Sequence, residues 1–297
     1  VTKIPTFREA QGAVGRWRRR LRRRVLEPIL LGRRSFRETV LNALAGRGHL
    51  VYCRTGDAVF LVDPSDRVVG SELMWRGEWQ RDEIVRAVDV LAAAGRLPPN
   101  AVFVDAGANI GTHSVYAMKT GRFARAIAFE PEPRNAELLR MNINANDLAE
   151  RVTVVAQAVG ERAGGAVLHL HPRNKGHHTI GTPPSVDGLD RIEVPMVRLD
   201  AALAAAGILA DDIGLVWIDV EGYEPEAVAG LGALIERAVP LALEYAPQRY
   251  SAAARDALVA RLARHYTVLH RLSGPGGASE PVSALAGISD FTDVLLF

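Results

Sequence analysis

Between residues 101 and 244, short runs of apolar, often β-branched residues alternate with stretches whose apolar positions fall three and four apart. Ala101–Val104, Ala126–Phe129, Val152–Val155, Leu215–Ile218 and Leu241–Leu243 read as strands buried on both faces. A helix follows the first strand through about Lys119, and Pro133–Asn144 sets Ala136, Leu139 and Ile143 on one helical face. Strands of this kind, each followed by a helix, predict an α/β fold with a doubly wound parallel sheet.

The flanks carry other patterns. His49–Arg54 and Ala58–Asp63 alternate around Thr55-Gly56-Asp57 and predict a β-hairpin. Over Arg81–Gly95, Ile84, Val85, Val88, Leu91 and Ala92 keep helical spacing, with Gly95 as a stop and Pro98-Pro99 blocking continuation. Val167–His171 and Ile192–Val197 predict a hairpin inserted near 165–198. Thr267–Leu272 and Phe291–Phe297 read as two last strands around a Gly-rich loop at Gly274–Gly277. The chain thus divides into an N-terminal extension (1–48), a hairpin and helix (49–99) and the α/β domain (100–297).

Composition is that of an ordinary globular chain, 48% hydrophobic and 24% charged over 297 residues. The net charge of +2 hides a gradient. Residues 1–50 hold 13 Lys/Arg against 3 Asp/Glu, and the remaining 247 hold 23 against 31. Seven arginines crowd Arg16–Arg24, while Trp17, Leu21 and Val25 recur every fourth residue. Such an arm suits an anionic membrane surface or a nucleic acid; a solvated extension, or a helix packed on the body, is the plainer reading. Cys53 is the single cysteine, which excludes an internal disulfide and a multi-cysteine zinc cluster. No apolar run approaches the roughly 18–20 residues of a membrane span, and no apolar stretch of signal-peptide type follows the first charges. A cytoplasmic protein is the expectation, peripheral at a membrane if the basic arm binds one.

In doubly wound sheets the ligand lies over the carboxyl ends of the strands. There the first strand runs into Asp105-x-Gly107-x-x-x-Gly111. Gly107 allows a sharp turn and close ligand approach, and Gly111 opens the helix. A dinucleotide fingerprint places a second glycine where Asn109 stands, so the loop is poorly made for a diphosphate. Asp105 instead suits an ammonium or sulfonium group. Glu130, nineteen residues past Gly111 at the second strand end, is placed to accept both hydroxyls of a ribose. Together they imply a nucleoside carrying an amino acid, S-adenosylmethionine. Gln157, after the third strand, either faces the adenine edge or is a surface glutamine.

Val104-Asp-Ala-Gly-Ala-Asn-Ile-Gly111, Ala128-Phe-Glu-Pro-Glu-Pro133 and Ile218-Asp-Val-Glu-Gly222, in this order, resemble the FkbM family of S-adenosylmethionine-dependent methyltransferases. The resemblance spans about Trp79 to Glu244. It implies the class I methyltransferase sheet, Rossmann-like with an antiparallel last strand, and typically O-methylation of sugars or natural products. It also implies that Asp105, Gly107, Asn109, Gly111 and Glu130 are cofactor-binding positions.

A sugar-type hydroxyl is a weak nucleophile, so a base or metal should assist the transfer. Asp219 and Glu221, two apart at the end of the fourth strand, point to one side if the chain there is extended. They are placed to take the acceptor proton, bind a divalent cation or hold the methionine ammonium; a helix-capping role is the alternative. Glu244 at the fifth strand end is a further pocket candidate. His169, His171, His177 and His178 fall within ten residues, but nothing fixes a third ligand, so no metal site is assigned to them. His178, or its neighbour His177, is a candidate base over the acceptor.

The expected acceptor is a hydroxyl of a sugar, glycan or natural-product small molecule. An RNA ribose methyltransferase using the basic arm is the alternative. Base-amino methylation is disfavoured, because Asp-Val-Glu-Gly stands where an Asn/Asp-Pro-Pro-aromatic loop is called for, and Pro183-Pro184 lie elsewhere. A nicotinamide-dependent oxidoreductase is opposed by the missing middle glycine. Oligomeric state is not legible.

Overall fold

A computed structural model of the chain describes residues 34–45, 48–181, 189–274 and 278–297. The expectations placed on the Arg16–Arg24 run, on Pro183-Pro184 and on 275–277 lie outside the described residues. The chain forms two compact units, Val1–Leu50 with Asp63–Ser65, and Val51–Val62 with Asp66–Phe297. In the first, α1 (Arg34–Ala45) is the described helix, and the Ser65 amide donates to the Asp63 carboxylate at 2.8 Å.

The second unit opens with the expected hairpin, β1 (Val51–Thr55) and β2 (Ala58–Val62), followed by α2 (Val69–Trp75) and α3 (Arg81–Ala93). The α/β alternation then runs through β3 (Val102–Ala106), α4 (Thr112–Lys119), β4 (Arg125–Phe129), α5 (Pro133–Ala145), β5 (Val152–Val155) and β6 (Ala158–Val159). The inserted hairpin is β7 (Gly164–Leu170) with β8 (Asp190–Val197), antiparallel as its alternation predicts. After it come α6 (Leu199–Ala205), β9 (Ile213–Ile218), α7 (Glu224–Ala229), α8 (Ala233–Glu236), β10 (Leu241–Tyr245), α9 (Ala252–His265), β11 (Val268–Arg271), β12 (Glu280–Pro281) and β13 (Thr292–Leu296).

Eight strands form one sheet in the order β12-β11-β13-β10-β9-β3-β4-β5. β5, β4, β3, β9 and β10 are parallel, and β13 is inserted antiparallel between β10 and β11. This is the doubly wound class I methyltransferase arrangement with its antiparallel last strand. Its order doubles back beside β3, so the strand ends around β3 and β9 are where a ligand site is expected.

The sheet is apolar on both sides because both are covered. Val104, Ile127, Val216, Ile218, Leu243 and Val294 face a core shared with α6, α7 and α9. The intervening residues turn to the other face. That alternation sends Asp105, Asp219, Glu244 and Asp293 to one side, the side on which α3 packs against α4.

Two features went unread in the sequence. Helix α9 has a weak apolar stripe, Leu258 and Leu262 being its buried residues, although Ser251 caps it by accepting from the Ala254 amide at 3.2 Å. The hairpin docks on α5 through Asn142 and Asn146, whose side-chain amides accept from and donate to Leu61 and Val59 like a further strand.

Candidate active site

Three strand-end loops build the site. After β3, the Gly107 and Ala108 amides donate to the Phe129 carbonyl at 3.0 and 2.9 Å, tying that loop to the end of β4. Gly107 has φ +92, and a Cβ there would lie 1.7 Å from the Asp219 carbonyl oxygen. No other residue lets the β3 and β9 loops approach so closely. Gly111 has φ +93 and adjoins Leu139 of α5. Asn109 occupies the left-handed region at φ 48, and its buried Oδ1 has no hydrogen-bond partner.

Glu130 is 5% exposed. Its Oε2 accepts from the Asn109 amide at 2.8 Å and its Oε1 from the Glu132 amide at 2.9 Å, so backbone donors orient both oxygens. Burial nevertheless pushes its acid up to about 8, against the opposing pull of those two amides. Glu130, Gly107, Asn109 and Gln157 line one narrow slot, closed on its far side by Lys175, Gly176, His178 and Ile180.

Asp105 lines neither this slot nor the cavity beside it. It is wholly buried, accepts from Ser114 Oγ at 2.6 Å and keeps Oδ1 without a partner, 4.0 Å from His113 Nδ1. Burial raises its acid to about 7 and depresses the His113 imidazole to about 3. Its place is behind the loop, where it anchors α4.

The loop after β9 turns through Glu221 at φ 55 and Gly222 at φ 96. Glutamate in that conformation is strained, by about 1–3 kcal/mol. Glu224, buried at the start of α7, holds the turn by accepting from the Val220 amide at 3.1 Å and the Gly222 amide at 3.0 Å. Asp219 and Glu221 do come together, but through this turn rather than along the extended chain that the spacing argument assumed, and both line the slot and the second cavity.

That second cavity, about 510 Å³, opens over the ends of β9, β10 and β13. Glu244 enters it as expected from the strand end. Arg249, in the turn after β10, donates Nη1 to Glu221 at 2.6 Å and to Glu244 at 2.8 Å. His177 Nδ1 lies 2.9 Å from Glu221 Oε2 on the same side. His178 is on the slot instead, and its Nδ1 accepts from the His171 amide at 2.9 Å. Burial, then the neighbouring cations, lowers that imidazole to about 4. Asp219 keeps a buried Oδ1 without a partner, and its acid is raised well above the usual range by burial and by Glu221, Asp293 and Glu224. One oxygen each from Asp219, Glu221 and Glu244 lies within 4.8 Å of the others, a spacing fit for a cation. Arg249 meets two of the three.

Arg249, Glu83 and Asp293 escaped the sequence reading; the cue for Arg249 was its position five residues past Glu244. Residues 105–265 match the model of the Methyltransferase FkbM domain, more than half of the chain. The chain belongs to the FkbM methyltransferase family. Methyltransferase sdnD of Sordaria araneosa is 36% identical over 162 residues, 46% of this chain and 62% of that protein. The 2-O-methyltransferase NoeI of Sinorhizobium fredii (strain NBRC 101917 / NGR234) is 28% identical over 167 residues, covering 50% and 65%. The 31-O-demethyl-FK506 methyltransferase FkbM of Streptomyces tacrolimicus is 32% identical over 162 residues, covering 46% and 61%. The chain thus spans somewhat less than two thirds of each of these family members. Among solved structures, the methyltransferase FkbM from Methylobacillus flagellatus KT is a loose likeness, with TM-score 0.42, 18% identity and coverage of 67% of this chain and 44% of that one. Among the described residues no helix is long and apolar enough to cross a membrane.

Proposed function

We propose that the protein is an S-adenosylmethionine-dependent O-methyltransferase acting on a hydroxyl of a sugar, glycan or natural-product small molecule. The observation that carries this reading is the junction of the two hollows. Gly107, Asn109, Asp219 and Glu221 line both, so a nucleoside in the slot and an acceptor in the cavity would meet at Asp219.

The donor set fits that cofactor. Glu130, with both oxygens oriented by backbone amides, and the unpartnered Asn109 Oδ1 offer acceptors to the hydroxyls and amine of a nucleoside amino acid. Gln157 adds a side-chain amide on the same wall. The slot holds only about 40 Å³ as it stands, so binding of a nucleoside requires it to widen. S-adenosylmethionine, when bound, supplies a methyl group already activated by its sulfonium. The chain's own residues then need to align the acceptor and take its proton. Asp219 suits the proton: its Oδ1 is unpartnered, and burial beside other carboxylates makes it a stronger base than an exposed aspartate. Arg249 holds Glu221 and Glu244 in place beside it. A metal bound by the same three carboxylates would have to displace Arg249, so the proposed proton transfer uses none.

Two observations weigh against the alternatives. A pyrophosphate would meet Asn109 where a dinucleotide site has its middle glycine. A polyphosphate such as RNA would meet a cavity wall with far more carboxylates than cations. Calorimetric titration with S-adenosylhomocysteine and, separately, with NAD tests the reading. Binding of the former alone, weakened roughly ten- to hundredfold by Glu130→Ala, is expected. Binding of NAD, or of neither, would sink it.

A further inference from the structure

Two strands end and a third begins side by side in a row of carboxylates. Glu244 stands directly opposite Asp293 across the antiparallel β10–β13 pair, and Asp219 follows Ile218, the neighbour of Leu243. Like charges facing one another across a sheet repel. Arg249 bonds Glu244 and Glu221, which leaves Asp293 to other partners.

Asp293 is 2% exposed. It accepts from Ser273 Oγ at 3.1 Å and Gln80 Nε2 at 3.4 Å, both neutral donors, while its Oδ1 has no partner. It lines the 510 Å³ cavity. A buried carboxylate oxygen without a donor is costly, and Asp293, unlike Asp105, borders a cavity from which a ligand can supply one. The remaining wall offers no cation to do so. Glu83 adds a further carboxylate, His113 is kept neutral by burial, and His177 sits on Glu221. Trp79 and Phe291 also line the cavity, and Phe291 is 44% exposed. Aromatic faces beside carboxylates attract an organic cation and stack on a ring.

Resting on the acceptor-cavity reading above, we propose that the acceptor carries a protonated amine as well as the hydroxyl, with Asp293 as the counter-ion of that amine. The cavity then selects amine-bearing polyols over neutral ones and rejects phosphorylated ones. A bare metal ion fits less well, because the carboxylate group spaced for it already holds Arg249 and does not include Asp293.

The test is a calorimetric titration in saturating S-adenosylhomocysteine. Kanamycin, rich in amines and hydroxyls, is compared with its fully N-acetylated form. Kanamycin should bind roughly ten- to hundredfold tighter, and Asp293→Asn should remove that advantage. Equal affinities, no binding of either, or an unaffected Asp293→Asn would overturn the proposal. So would saturable Mn²⁺ binding, read alone by electron paramagnetic resonance, that competes with kanamycin and disappears in Asp293→Asn. Unchanged S-adenosylhomocysteine affinity shows that the variant is folded; if it is not, Glu83→Gln, at the first turn of α3, is expected to reduce the same advantage and is read instead. Failure of the wild type to bind S-adenosylhomocysteine is a separate result, against the methyltransferase reading itself.

Discussion

The slot and the cavity share two loops, yet they are assembled in opposite ways. The slot takes its defining groups from consecutive strand ends between Gly107 and Gln157, where backbone amides orient one carboxylate. The cavity draws Gln80 and Glu83 from before the sheet, Asp219, Glu221, Glu244 and Arg249 from its middle, and Asp293 from its last strand; Gln80 and Asp293, in contact, are 213 residues apart. The slot has a nearly fixed chemistry written in a short stretch. The cavity is a charge balance, set by which distant groups the sheet order brings together.

That contrast is open to attack at the residue where the two meet. Asp219→Asn keeps the shape of the junction and removes the base, so turnover should fall by roughly a hundred- to ten-thousandfold with S-adenosylhomocysteine affinity near wild type. Parallel loss of affinity in calorimetry would move Asp219 to the nucleoside side.

Gly107→Ala strikes the packing of the same junction. A Cβ placed 1.7 Å from the Asp219 carbonyl forces the β3 and β9 loops apart, at a cost of about 3 kcal/mol. Chemical denaturation should show that loss, and both ligand affinities should drop together. A variant of wild-type stability that still bound S-adenosylhomocysteine would mean that the loops do not depend on each other.

The smallest effect is a pH dependence carried by Glu130 on the slot and by Asp105 behind its first loop. Glu130 and Asp105, raised to about 8 and about 7 by burial, keep their protons in the folded chain, whereas the unfolded chain releases them near pH 4. Their contribution to stability is complete below the unfolded value and is lost as pH rises through 7 and 8. His113 and His178, lowered to about 3 and about 4, act the other way, but only as pH falls below about 6.5. Between pH 6.5 and 8.5 the ligand-free protein should therefore lose on the order of 1 kcal/mol per carboxyl, a few degrees in Tm. Glu130→Gln should flatten that slope in a thermal melt; an unchanged slope would assign it elsewhere.

The fold was largely readable because buried parallel strands are apolar on both faces and stand out from the helices between them. Among what escaped, helix α9 and the docking of the expected hairpin did so for local reasons. Helix α9 buries little, and the hairpin docks through the side-chain amides of Asn142 and Asn146 rather than through an apolar stripe. On the slot, Glu130 and Gly107 stand where strand-end logic puts them. Asp105 differs: the same spacing that marked it for the ligand sends its side chain behind the loop to Ser114. His177 and His178 are adjacent in sequence but fall on opposite hollows, a division no spacing rule distinguishes.

By itself, the order of the residues determined the α/β alternation, the turn at Gly107, the strand-end Glu130 and the paired carboxylates at 219 and 221. These depend on near neighbours along the chain: a backbone conformation that glycine adopts freely, a period of two or of three and a half, a carboxylate where a strand ends. Only the tertiary structure decided that β13 lies beside β10, and hence that Asp293 faces Glu244, that Arg249 reaches back to Glu221 and Glu244, and that Glu83 adds to the same wall. Charge acts through space, over distances shorter than a helix, and its sum in a cavity exists only once the strands have chosen their neighbours.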